Sequence, residues 1–427
     1  MPGDAQRSPA TEPDHGFDEI TQAMTTPQFR ENPYPLYERL RCEHPLYRGS
    51  QGAWYVTRYA DVDAALRDPR LSNDRERRLR WSARCEGTDR LARGFAEVRM
   101  RLRGSTLSAD PPDHTRLRRL VSKALAGRHV AALRPRIEAI VADLLHDAQA
   151  TVPSFDLIAA LAKPLPVTVI CELLGIPAVD RWRIRQWTRA LDDLEPAAAH
   201  ANKALERIEL ERIEQVALEF EDYLRDLVRT RRAAPGDDLL SALIAVRERG
   251  DQLREDELSS TCLLLLATGH DSPVNLIGNG TLALLRNPDE LRRLQENPTL
   301  IRAAIEELLR YDSPVQMQLR ITAEAVEIAG EVLAEDEAVF TVLGAANHDP
   351  DQFPDPDRLD LARPTPRHLS FGNGPHFCLG ARLARLEGQV AIGMLVQRFP
   401  TLRLDTDTID WRPNLNPRGL ASLPVAY

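Results

Sequence analysis

The chain has 427 residues, 43% of them hydrophobic and 28% charged, a balance that supports a large buried core in a globular protein. The formal net charge of −9 argues against a general nucleic-acid binder, and no apolar run approaches the roughly 20 residues a bilayer span needs. Five cysteines (Cys42, Cys85, Cys171, Cys262 and Cys378), odd in number, widely spaced and without a CxxC, argue against both a disulfide framework and a structural zinc site.

The first 25 residues are polar and Pro-rich, with no apolar leader or anchor. They read as a flexible lead-in to one domain over 26–427, and the absence of a targeting segment suggests a cytoplasmic protein. From about 110 to 312 the pattern is helical. Residues 112–125 place Leu117, Leu120, Val121 and Leu125 on one face, and 130–149 and 156–174 look similar. Residues 203–232 form a long charged helix with many i,i+4 pairs of opposite sign, the pattern of a solvated outer face. A second long helix over 254–286 is apolar enough to be buried, although Gly269 and Pro273 interrupt it. Residues 299–311 make a short amphipathic helix.

After residue 320 the character changes. Residues 321–344 alternate apolar and polar and predict two or three short strands. The Pro/Asp-rich stretch 348–368 predicts irregular structure, a last helix follows at 381–398, and 402–405 and 422–425 suit strands. The fold class is mainly α with a small β-rich portion.

Chemistry concentrates in Phe371-Gly372-Asn373-Gly374-Pro375-His376-Phe377-Cys378-Leu379-Gly380. Glycines let a backbone approach closely or take positive φ, and a cysteine before a helix gains from free N–H groups and the positive dipole end. Such a thiol is favoured as a thiolate, hence as metal ligand or nucleophile. Six fixed positions of the form F-G-x-G-x-H-x-C-x-G arise by chance in a chain this long on the order of once in 10⁵.

This segment resembles the haem-binding loop of the cytochrome P-450 superfamily. Glu307-Leu308-Leu309-Arg310 resembles the family's ExxR, and Phe353-Pro354-Asp355-Pro356-Asp357-Arg358 follows it in the expected order. The resemblance spans about residues 30–427 and is closest to soluble bacterial members. It implies the cytochrome P-450 fold, with Glu307, Arg310 and Arg358 as a structural network. Cys378 would be the axial thiolate of haem b, a donor that favours O–O cleavage. Phe371 would shield the sulfur and Gly380 would permit close helix approach. His114, Arg118, Arg320 and His376 would contact the haem propionates.

The oxygen-activating stretch departs from the family pattern [AG]-G-x-[DE]-T-[TS], reading Thr268-Gly269-His270-Asp271-Ser272-Pro273. Asp271 and Ser272 would serve as the catalytic acid and alcohol. Pro273 should kink or open the helix, because it lacks an N–H and crowds the Gly269 carbonyl. His270 reads as a helix residue near the pocket. The pocket would be lined by 78–105, 180–200, Leu265, Leu266, Gly269, 314–319 and 415–422.

The activity implied is a monooxygenase of bacterial secondary metabolism that hydroxylates or epoxidises a small lipophilic molecule. The alternatives are oxidative C–C, C–N or C–O bond formation on the same fold, and a haem-binding sensor or carrier. The resemblance further implies a monomer fed by ferredoxin and ferredoxin reductase. Arg116, Arg119, Lys123, Arg382 and Arg385 would form the basic docking face for an acidic ferredoxin.

Overall fold

The computed structural model describes residues 24, 26–49, 52–84, 109–125, 130, 132–149, 154–187, 203–247, 249–364 and 367–427. The expected lead-in lies almost wholly outside these residues, as do Cys85 and the pocket segments 85–105 and 188–200.

Arg75–Arg84 (α1) is followed by Asp113–Ala124 (α2), which buries Leu117, Leu120, Val121 and Ala124 on the face expected from their spacing. Arg134–Gln149 (α3) lies close to the expected bounds. The stretch expected as one helix over 156–174 divides into a strand at Ser154–Asp156, a π-helical turn at Ile158–Ala162 and Pro164–Leu173 (α4). Pro164 explains the division, because proline suits a helix start and not an interior. Lys203–Ala233 (α5) is the long charged helix.

Glu255–Arg286 (α6) runs 32 residues and is buried along most of its length. Its acidic first turn suits the positive end of the helix dipole. Pro273 lies inside it, yet α6 remains one continuous helix, so the expected opening is absent. Proline removes one hydrogen bond, and burial among neighbouring elements holds the helix together across the gap. Ile301–Tyr311 (α7) and Ala381–Arg398 (α8) complete the frame. Gly388 of α8 lets Leu276 of α6 and Ile305 of α7 approach closely, so the three helices pack together. The main hydrophobic core lies around α2, α3, α4, α6 and α8.

Five strands form the principal sheet: Leu46–Arg48 (β1), Trp54–Val56 (β2), Leu71–Ser72 (β3), Gln318–Thr322 (β4) and Ala338–Thr341 (β5), in the order β1-β2-β5-β4-β3. Only β2 and β5 pair in parallel, with Trp54 opposite Val339. Asp410–Leu415 (β6) and Arg418–Ser422 (β7) form an antiparallel hairpin against α6, where Asn279 donates to the Arg418 carbonyl at 3.2 Å. Arg418 is buried. It donates to Asp312 at 2.9 Å and to the carbonyls of Arg30 and Glu31, joining the end of α7, the hairpin and the first helical segment.

Glu307 and Arg310 of α7 form a buried double hydrogen bond of 2.8 and 2.9 Å. The third member of this network is Arg363, and not Arg358 as expected. Arg363 is buried and reaches Glu307 at 3.1 Å, whereas the Arg358 side chain is 67% exposed and turns to Asp360. Arg358 contributes only its carbonyl, which accepts from Arg310 and Arg363. Arg363→Ala should cost about 3–5 kcal/mol by leaving Glu307 undercompensated, and Arg358→Ala about 0.5 kcal/mol or less. Urea denaturation of the two variants checks the order, and a costlier Arg358 substitution would reverse the assignment.

Candidate active site

The loop before α8 is shaped by two left-handed glycines. Gly372 has φ +68° and Gly374 has φ +69°, and a Cβ on Gly374 would meet the Leu66 carbonyl oxygen at 2.6 Å. This tight path returns the Cys378 N–H to the Phe371 carbonyl at 2.9 Å. It leaves the sulfur before the first turn of α8, where the N–H groups of Gly380 and Ala381 point at it. Burial nevertheless pushes the thiol up, and those N–H groups with the charges of Arg118 and Arg385 recover only part of the shift. Ionisation of Cys378 therefore calls for a directly bound cation, the condition under which a thiol deprotonates outright. Gly380 does not serve helix approach as expected: no heavy atom lies within 4 Å of a Cβ placed there, so that side of the loop is open.

Four expected anion-binding residues converge beside the loop. The rings of His114 on α2 and His376 lie 4.0 Å apart, and both His114 nitrogens are buried without a hydrogen-bond partner. Burial, and then the nearby Arg118, hold His114 below its ordinary value. Burial, then nearby His114, Arg320, Arg78 and Arg118, push His376 down to about 2. Arg320 is 4% exposed, bonded only to Gln318 and the Leu319 carbonyl, and burial lowers it to about 10. Arg118 donates to the Phe377 carbonyl. Asp110 is the carboxylate whose charge reaches His114 and Arg320, and it is itself engaged by Ser72 and Asn73. Positive charge is crowded, buried and short of carboxylates, so the residues fit a ligand carrying its own. Arg78 of α1, bonded to the Leu319 carbonyl at 2.7 Å, joins this cluster and was not foreseen.

On α6, Asp271 Oδ1 takes a 2.5 Å ion pair from Arg412 of β6 and a 3.4 Å contact from Asn275. Arg412 is a second unforeseen neighbour. Ser272 is half-buried and its hydroxyl bonds to none of the described residues. His270 donates through Nδ1 to the Leu266 carbonyl at 2.7 Å, in keeping with a helix residue. A Cβ at Gly269 would face Ile170 of α4 at 3.4 Å. Leu265, Leu266 and Met317 are buried.

The expected basic face is thinner than its arginines suggested. Arg116 is drawn inward to buried Glu257 on α6 and to Asp251 at 3.5 Å. Arg385 is held by Glu306 at 2.7 and 2.8 Å. Arg119 is half-buried, with Nε unbonded, and Lys123 is exposed and reaches the Arg247 carbonyl at 2.8 Å. Arg382 remains exposed, and Phe377, next to Cys378 in the chain, is 37% exposed.

A cysteine at a helix start, beside buried cations that await carboxylates and below a helix carrying an acid and an alcohol, is the arrangement of a haem-thiolate enzyme. The Cytochrome P450 family model matches residues 88–425. Cytochrome P450 107B1 of Saccharopolyspora erythraea is 45% identical over 404 residues, covering 93% of this chain and 95% of that protein. The 6-deoxyerythronolide B hydroxylase of the same organism is 42% identical, covering 94% and 98%. The structure of P450BioI in complex with hexadec-9Z-enoic acid ligated acyl carrier protein superposes with a TM-score of 0.82 at 36% identity, covering 94% of this chain and 99% of that one. The chain belongs to the cytochrome P450 family, and it is a cytochrome P450 monooxygenase, an enzyme of a family whose cofactor is a haem with thiolate ligation. No helix among the described residues is long and apolar enough to cross a membrane.

Glu387 of α8 is fully buried, and neither carboxyl oxygen has a partner. Burial alone raises it well above the ordinary carboxylate range. The folded state therefore holds a proton that the unfolded chain releases near pH 4.5. Folding stability should fall as pH rises from there towards the native value, by at most about 1.4 kcal/mol per pH unit. Glu387→Gln removes this term. Thermal melts between pH 5 and 8 should show the variant gaining on the parent as pH rises, and a constant difference would refute the neutral acid.

Proposed function

We propose that this enzyme binds haem b through Cys378 and inserts one oxygen atom into a C–H bond or double bond of a small lipophilic molecule in natural-product biosynthesis. The observation that carries the reading is the convergence of Arg118 and buried Arg320 with His376 and the buried, unpartnered His114 beside a cysteine at the start of a helix. These four residues hold the two haem carboxylates, and Phe371 shields the sulfur from water. When bound, the haem supplies dioxygen activation from two electrons. Asp271, paired through Oδ1 with Arg412, is the acid that holds and passes a proton. The Ser272 hydroxyl, bonded to no described residue, is available to hold water and pass a proton onwards. Interlocking of the first helical segment with the C-terminal hairpin through Arg418 supports a single domain over 26–427.

The electrons come from a ferredoxin and its reductase, in a cytoplasmic protein acting as a monomer. The basic contact surface is narrower than the five residues first considered, and centres on Arg382 and Lys123 with Arg118 behind them. A second reading, oxidative C–C, C–N or C–O bond formation without oxygen insertion, draws on the Ser272-Pro273 departure: serine lacks the methyl that restricts a threonine rotamer, so proton delivery is less directed.

A carbon monoxide difference spectrum of the reduced protein should show the thiolate-type band, and Cys378→Ala should abolish it. Turnover under isotopically labelled dioxygen should place one labelled atom in the product, whereas label only in water would favour bond formation. Electron transfer from an acidic ferredoxin should weaken several-fold with added salt and with Arg382→Glu, read as the reduction rate under carbon monoxide. Insensitivity to both would exclude this docking face.

A further inference from the structure

Phe371, the residue whose backbone holds Cys378, carries a guanidinium on its ring. The Arg385 carbon lies 4.4 Å from the ring centroid. Both Arg385 nitrogens that face Glu306 bond to it, at 2.7 and 2.8 Å, a bidentate pairing that fixes the plane of the fork. Glu306 is held from the other side by His368 at 3.1 Å. His368 Nδ1 accepts from the Ser370 N–H at 3.2 Å, so the ring proton sits on Nε2 and is donated to Glu306. Burial would raise Glu306, but His368 and Arg385 outweigh it and hold the carboxyl at about 2, so it is ionised at any working pH. Arg118 and Arg385 are the cations that most favour the Cys378 thiolate among the described residues.

Arg118 is committed to the Phe377 carbonyl and stands in the carboxylate-binding cluster. Arg385 has neither task. It follows Cys378 by seven residues, two turns along α8, and its neighbours are an aromatic ring and one acid on α7. Its pairing is neutral in sum but directional: the positive end lies against the ring of Phe371 and the negative end on α7.

We infer that Arg385 tunes the reduction of the thiolate-ligated iron, with Glu306 holding its positive charge against the ring of Phe371. The inference rests on the reading that Cys378 ligates haem. Taking up one electron from a one-electron donor turns iron(III) into iron(II) and adds one negative charge to the site. A fixed cation nearby favours the reduced state, and its removal disfavours it. Arg385 acts through the field at the sulfur; it is a positioning residue for charge and touches no substrate.

The test is a reductive titration of the haem-loaded full chain with dithionite and mediator dyes, alongside the reduced carbon monoxide spectrum. Arg385→Gln should lower the reduction equilibrium constant about tenfold, about 59 mV for one electron. Glu306→Gln, which removes the opposing charge, should shift it the other way by a smaller factor. Arg385→Lys, which keeps the charge without the fork, should stay near the parent. Loosening of the loop would move Arg385→Gln and Glu306→Gln in the same direction, so shifts of one sign, or no shift, overturn the inference. If the parent itself shows no thiolate-type carbon monoxide band, the underlying reading fails and the inference with it. A normal band with unshifted potentials defeats the inference alone.

Discussion

Arg310 is a fully buried cation, and much of the molecule beneath the cysteine loop is arranged to satisfy it. One guanidinium donates to Glu307 and to the carbonyls of Asn347, Pro356 and Arg358, and its face covers the ring of Phe353. A charge in such a place is costly unless every donor is met. Meeting them forces the Pro/Asp-rich stretch after residue 348 to curl with its carbonyls inward. Asn347, whose carbonyl it takes, accepts the Leu369 N–H at 2.7 Å and donates to Ser313 and Ser370. The start of the cysteine loop is thus hung from the same bonding system. Irregular backbone is held as firmly here as a helix would be, by polar bonds and not by periodic ones.

The other side of the loop has the opposite character. Beneath it charges are paired; beside it Arg118 and Arg320 bond to no carboxylate among the described residues, and His114 has no hydrogen-bond partner there. A deficit of negative charge lies near a thiol whose ionisation burial disfavours. Each deficit is unfavourable alone, and one ligand with a metal and two carboxylates corrects both. Haem binding and completion of the fold in this region are therefore linked equilibria.

Features set by neighbours in sequence were legible before the structure. The glycine loop, the helix over 381–398 and the amphipathic face of α2 follow from φ requirements and 3.6-residue spacing. Partnerships across long sequence separations were not. Arg358 and Arg363 lie five residues apart in a segment without periodicity, so nothing in the pattern marks which of them turns inward. Arg116 and Arg385 read as surface charge because their carboxylates, Glu257 and Glu306, are 141 and 79 residues distant. The hairpin of β6 and β7 was concealed by Pro413 and Pro417, which break a strand pattern in sequence, although Pro413 sits tolerably in a two-stranded edge and Pro417 in the turn that joins the strands. Arg412 went unseen with it, although it is the partner of the acid on α6.

Arg418 draws together carbonyls 387 and 388 residues away with a carboxylate 106 residues away. Synthesis proceeds from the amino end, so Arg30, Glu31 and Asp312 leave the ribosome long before the side chain that joins them. The hairpin is made after the helices on which it packs. Until it arrives, the helices behind it form a cleft open on one flank, with apolar faces of α6 uncovered. Closing so distant a contact carries a large loop entropy, repaid only when the hairpin docks as a unit. A nascent chain of this enzyme is thus able to assemble its helical frame before the hairpin that packs on α6 is made.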